Sequence, residues 1–546
     1  MITERTIING LIIGASFILV PFLIFSTFSI EAGYTVGDYL PALIFAGLAA
    51  LAVAFFFLRD RLCICPMLGG GMAGSLNFLP IPLKATHIAC ILLILYYATG
   101  YILIRQSPMK LGKREFLWPI LILTSIVLYH NHALHLHALG GGGTEGAKPA
   151  MLIYLVVFAY FCGINISPPS VKFLSKVPLY FVILSFVSNI PQFLTTYVPS
   201  LAPYLYYITD NVNVDAYLKS NTFVGESSEA IGRFGFLSAV AGPLQLYLLC
   251  HYPIGTWLRP SRWWVAALSL ICAILTVASG YRNVLFGYSM SALIATWCYY
   301  SWRALALPTI AFLGVLIFYL GLINNVIQIP LNRLPLIAQR TMSFLPGDWD
   351  TEALESAKSS DDFRKGIQDV YKKEYMDKSP LLGNGFDINT KEFDNLNNIA
   401  NQGYPGLDRG YLQSKIFIEG KIFHVGWVSL YDSVGIIGFM VFIILGCFEI
   451  LVSMHFVFGP KADHLSPLFP LYVWMLCGTL PSMIGFFTVF GDFAVTFMNM
   501  CVTAIVLSQL SDLENSSKVT TTLPDHKREA KFSRLGGTHY DYQPRH

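Results

Sequence analysis

Four residues of this 546-residue chain combine a chemically useful type with a boundary setting. His424 closes a long polar stretch, eleven residues before Gly435-Ile436-Ile437-Gly438, which opens into an apolar run. A neutral imidazole near pH 7 can take a proton from a hydroxyl nucleophile. Arg282, in Ser279-Gly280-Tyr281-Arg282, lies in a polar break between two apolar runs. Arg233 opens another run in Gly232-Arg233-Phe234-Gly235, and Arg409 stands in Leu407-Asp408-Arg409-Gly410, fifteen residues before His424. A guanidinium is planar and permanently charged, which suits phosphate oxygens. The expectation is a histidine base, His424, beside an anionic, phosphate-bearing ligand held by Arg282, Arg233 and Arg409. The competing reading is structural: His424 caps or packs a helix end, and the arginines snorkel or pair with Asp210, Glu226 or Glu229. Arg282 has no acid nearby in sequence, which favours function there, whereas Asp408 beside Arg409 favours pairing.

Other clusters carry less. His130, His132, His135 and His137 precede a run of four glycines. On a helix, His130 and His137 share one face while His132 and His135 lie on another, so a wet helix end is expected rather than one four-ligand site. No Lys-Ser or Lys-Thr follows the glycines, so they form no phosphate loop. Cys63-Ile64-Cys65 is too tightly spaced for zinc, and the long polar stretch contains no cysteine to staple it. No metal or cofactor is expected.

These residues must be positioned by membrane helices. Charged residues make up 13% of the chain, about half the share of a soluble protein, and 54% is hydrophobic. The net charge of +3 gives no ground for nucleic-acid binding. Apolar runs suited to spans lie near 7–30, 39–58, 83–104, 116–131, 149–167, 177–196, 233–252, 263–280, 283–301, 304–325, 425–454, 467–487 and 489–510. Alternation of Lys/Arg clusters gives fourteen crossings if 63–82, broken by Gly and Pro, also crosses, and thirteen otherwise. The polar stretches 197–232 and 326–424 then both face outward. The expected class is an all-α polytopic membrane protein of about 12–14 transmembrane helices. Residues 1–325 form helices with the outer loop 197–232; 326–424 form a mostly helical cap; 425–510 form the last helices; and 511–546 form a disordered cytoplasmic tail.

In the order of these motifs the chain resembles the O-antigen ligase and O-antigen polymerase superfamily of bacterial membrane glycosyltransferases. The resemblance rests on His424-Val425 followed by nine residues and Gly435-Ile436-Ile437-Gly438. It also rests on Ser360-Asp361-Asp362-Phe363-Arg364 followed by Pro380-Leu381-Leu382-Gly383-Asn384-Gly385-Phe386, on Ser279-Gly280-Tyr281-Arg282, and on Arg233-Phe234-Gly235-Phe236. It covers roughly residues 230–450. Val425 departs from the Asn, Ser or Gln usual at that position, and the Pro-Asn that often follows the Arg233 motif is absent.

The resemblance implies a GT-C-like fold in the bacterial inner membrane, with the large loop periplasmic. It implies inverting, metal-independent transfer of a glycan from an undecaprenyl-pyrophosphate-linked donor to a hydroxyl on a glycan, lipid or protein acceptor. His424 is then the catalytic base, and Arg282, Arg233 and Arg409 bind the donor pyrophosphate. Ligase and polymerase both remain open. Outside the family, a transporter of lipid-linked sugars would place charge within the spans, and an assembly subunit would give His424 no special role.

Overall fold

The computed structural model describes residues 58–76, 83–104, 114–133, 147–198, 201, 205, 235–257, 259–300, 333–344, 348–388, 390–402, 409–423, 425–460, 463–488 and 491–521. The spans expected near 7–30, 39–58 (apart from Leu58) and 304–325 lie outside these, as do most of the 197–232 loop and the tail after Thr521.

What is described is helical almost throughout. Ahead of the cap come α1 (Cys65–Gly70), α2 (Ala85–Ile104), α3 (Arg114–Ala133), α4 (Ala147–Gly163), α5 (Val177–Tyr197), α6 (Gly235–His251), α7 (Trp263–Ala278) and α8 (Arg282–Tyr300). The polar stretch folds as α9 (Leu336–Met342), α10 (Thr351–Glu374), α11 (Thr390–Gln402) and α12 (Arg409–Glu419). The chain returns as α13 (Gly426–Phe458), α14 (Phe469–Thr488) and α15 (Phe493–Thr521). Four helices are long and apolar enough to cross a membrane: Val177–Thr195 within α5, α13, α14 and Phe493–Asn515 within α15. Apolar helices of 10–17 residues occur in α2, α4, α6 and α7.

The buried core is drawn largely from α2, α3, α4, α13, α14 and α15, with Phe116, Tyr160, Phe442, Phe493 and Phe497 wholly enclosed. The outward faces are apolar as well. Along α7, Trp263, Leu270 and Ile274 are 67%, 62% and 58% exposed at helical spacing. Water would penalise such a stripe and a bilayer would not, so this is a membrane protein.

Two expectations are corrected. Among the described residues, the 63–82 segment makes no membrane-length helix. Its described residues form the six-residue α1 and a two-residue strand β1 (Ser75–Leu76) antiparallel to β2 (Leu83–Lys84). Six helical residues rise only about 9 Å, well short of a bilayer core. The fourteen-span count therefore loses the crossing it required. The last helix also runs past the span expected to end near 510. Helix α15 runs on to Thr521 because Leu507, Leu510 and Leu513 keep a three-residue spacing that still meets the core.

Helix α13 is broken at Gly435, where φ is 64° and ψ is −167°, a region essentially closed to other residues. The break leaves backbone amides without intrahelical partners in an apolar setting, where they must be satisfied. Loop 380–386 satisfies them. Ile436 N donates to Pro380 O at 2.9 Å and Ile437 N to Leu381 O at 3.2 Å. In return Asn384 N donates to Asp432 O at 2.5 Å. The two backbones approach so closely that a Cβ on Gly435 would lie 2.4 Å from the Leu381 carbonyl. A Cβ on Gly383 (φ 79°) would lie 2.6 Å from Asp432 O.

Substituting Gly435→Ala should therefore destabilise the protein by at least about 1–3 kcal/mol from backbone strain alone. Gly478 in α14 has no neighbour within 4 Å of a Cβ, so Gly478→Ala should be neutral or gain about 0.5–1 kcal/mol. Thermal melting of the two variants in detergent separates these outcomes.

Candidate functional site

The cap has its own apolar cluster, and that cluster takes in the residues on either side of position 424. Ile367, Val370 and Tyr371 of α10 and Ile418 of α12 pack with Phe423, Val425 and Val428. Phe423 and Val425, on either side of His424, are each 5% exposed. This gives a physical reason for Val425 where the resemblance has a polar residue: the side chain fills the cap core. His424 itself lies outside the described residues, as does Arg233. Arg409 opens α12, with its side chain outside the description.

The turn into His424 is held by an ion pair that sequence reasoning missed. Helix α12 ends in a Schellman arrangement, with Ile422 N donating to Phe417 O at 2.9 Å and Lys421 N to Ile418 O at 3.1 Å. The left-handed position, normally glycine, is Lys421 with φ 54°. Such a conformation costs an ordinary residue about 1–2 kcal/mol. It aims the Lys421 ammonium at Asp432, whose Oδ2 lies 2.5 Å from Nζ. Asp432 sits inside α13 with its side chain 1% exposed, and its Oδ1 accepts from Asn384 Nδ2 at 2.8 Å. The Tyr371 hydroxyl also bonds the carboxylate; burial, and then Asp432, push that phenol well above its usual range, so it remains a donor. One carboxylate thus joins α10, the α12 turn, loop 380–386 and α13.

Arg282 opens α8, after Gly280 (φ 79°) turns the chain out of α7. It does have an acid partner, seventy-nine residues away. Its Nη1 and Nη2 donate to Asp361 Oδ2 and Oδ1, each at 3.1 Å, and Nη2 also donates to Ala357 O at 3.2 Å. Arg364 Nη1 reaches the same Oδ1 at 3.2 Å. The absence of a neighbouring acid in sequence therefore did not mean an unpaired cation. The Asp361 side chain is 54% exposed, and it bridges a bundle arginine and a cap arginine.

His130 departs from the wet helix end expected of the histidine run. It is buried, and its Nε2 lies 2.7 Å from Leu382 O in loop 380–386. His135 and His137 lie outside the described residues. Asp432 and Lys421 were the residues sequence reasoning passed over, and Asn384 and His130 were named there without these roles. The available signals were an acid near the start of an apolar run, a lysine eleven residues before it, and an asparagine between two glycines.

Fold and site together define an all-α membrane protein whose folded polar cap is wired to the bundle by ion pairs and by backbone hydrogen bonds at a broken helix. No known family model and no curated protein matches the chain.

Within the cap, Glu374 accepts from Tyr411 and pairs with Lys415 at 2.9 Å, and these two bonds hold its carboxyl below the ordinary glutamate range. The folded-state value lies below the unfolded one, so this tie contributes above the ordinary range and is lost as pH falls through it. Amide protection across the α10–α12 contact, measured relative to the intrinsic exchange rate at each pH, should fall on acidification, and Glu374→Gln should remove that part of the pH dependence.

Proposed function

We propose that this chain is a bacterial inner-membrane glycosyltransferase of the O-antigen ligase and polymerase type. On this reading it transfers a glycan from an undecaprenyl-pyrophosphate donor to an acceptor hydroxyl at the periplasmic face. One observation carries the reading. The motif pieces that suggested the family, scattered over more than 150 residues, meet in pairs. The Pro380-to-Phe386 motif bonds to the Gly435 break that follows His424, and the Arg282 motif ion-pairs with the Ser360-to-Arg364 motif.

The chemistry follows from the roles. His424 removes the acceptor hydroxyl proton as the oxygen attacks the anomeric carbon from the face opposite the pyrophosphate, which inverts that centre. The leaving pyrophosphate gains negative charge, and fixed cations stabilise it. Arg282 is the bundle cation we assign to this role. Its partner Asp361 is half exposed, and a partly solvated pair is held weakly enough for a more highly charged pyrophosphate to compete. Arg233 and Arg409 complete the donor site, and no metal is required. On this reading the fold is GT-C-like, and the cap would contact the donor's glycan.

A transporter of lipid-linked sugars is the second reading. It is favoured by Glu449, buried in the second half of α13 with one carboxyl oxygen lacking a partner, because acids within spans often mark transport paths.

In membranes supplied with an undecaprenyl-pyrophosphate-linked glycan, His424→Ala should lower transfer by about 100-fold or more with insertion intact. Arg282→Ala should weaken donor use as well. Normal donor consumption by a well-inserted His424→Ala protein would end the transferase reading, and movement of the donor without a glycosylated product would establish the transporter.

A further inference from the structure

We infer that Lys421 and Asp432 form a positioning pair that fixes the turn carrying His424. This deepens the proposed function and rests on it, since the pair matters to catalysis only if His424 is the base.

Three observations converge. Lys421 occupies a left-handed backbone position that favours glycine, yet Gly420 stands one place too early to take it. The strain is kept where its one evident return is the reach of the ammonium to Asp432. Asp432 is the second observation. A carboxylate this buried in an apolar helix is tolerable only when its oxygens are satisfied, and they are, by Lys421, Asn384 and Tyr371. The third is location. Lys421 precedes His424 by three residues, and Phe423 and Val425 are locked in the cap core on either side of it.

The segment 426–434 is therefore a short helical pedestal. Its lower end is fixed by the loop 380–386 bonds at the Gly435 break. Its upper end is fixed by Phe493 N donating to Ser429 Oγ at 2.9 Å, which ties it to α15. The Lys421–Asp432 pair adds a side-chain tie across the turn between α12 and the pedestal. A general base displaced by about 1 Å can lose roughly 100-fold in rate, so this restraint acts on kcat rather than on donor binding.

Removing one partner alone would strand the other charge and confuse positioning with folding. The informative variant is the double change Lys421→Gly/Asp432→Asn. Glycine relieves the backbone strain, and the neutral amide leaves no buried charge. In the full chain in membranes, with an undecaprenyl-pyrophosphate-linked glycan as donor, it should melt at the wild-type temperature. Its kcat should fall about 10- to 100-fold with the donor KM within about twofold, and amide exchange across 420–426 should rise by at least about tenfold. Asp432→Glu, which keeps the charge, should recover part of kcat. Unchanged exchange in the double variant would overturn the clamp. Faster exchange with unchanged kcat would overturn its role in positioning. If His424→Ala retains transfer, the catalytic reading fails, and the exchange measurement still decides separately whether the pair holds the turn.

Discussion

A helix broken inside an apolar bundle has to find partners for the amides and carbonyls it releases, and the rest of this structure depends on how α13 does so. The break at Gly435 is met by loop 380–386, which gives two carbonyls to Ile436 and Ile437 and takes the Asp432 carbonyl through Asn384. Because that exchange is backbone to backbone, its register is fixed. The cap cannot slide relative to the helix without leaving several buried polar groups unpaired, each costing about 1–3 kcal/mol. His130 extends the arrangement from α3 by bonding Leu382 O, so three parts of the chain share one joint.

Charge is used sparingly, at seams. Asp432 binds the histidine turn to α13, and Asp361 binds α8 to α10. The two carboxylates differ in exposure, and their consequences differ with it. The buried one is surrounded by fixed donors and acts as a restraint. The half-exposed one is screened by solvent and can be exchanged for another anion. On the proposed reading, the buried pair mounts the base and the half-exposed pair leaves a cation that can change partner.

The legibility of the fold divides along the same line. Helices α2 to α8 and α13 to α15 fall within a few residues of the apolar runs, because a span must be continuous and apolar and little else is. The exceptions are short-range matters. The 63–82 segment is apolar enough to suggest a crossing, but it is cut by glycine and proline into pieces too short to span. The end of α15 was placed early because serines and acids mask a leucine spacing that still finds the core. At the site, His424 and the glycine pattern stood out from the sequence. Arg282 was read as unpaired because its acid lies in another element, and Asp432 was passed over inside a run that read simply as a span.

The sequence by itself determined that this is a helical membrane protein with a folded polar cap before its last spans, since hydrophobic length and composition are local properties that each segment carries alone. It also placed a histidine and a glycine pair at the seam. Only the tertiary structure decided which charges are paired, why Val425 is apolar, and why Lys421 stands where glycine would be easier. Those answers depend on contacts between residues eleven to more than two hundred and fifty positions apart, and the energy of an ion pair or a shared carbonyl exists only once folding has brought its two halves together.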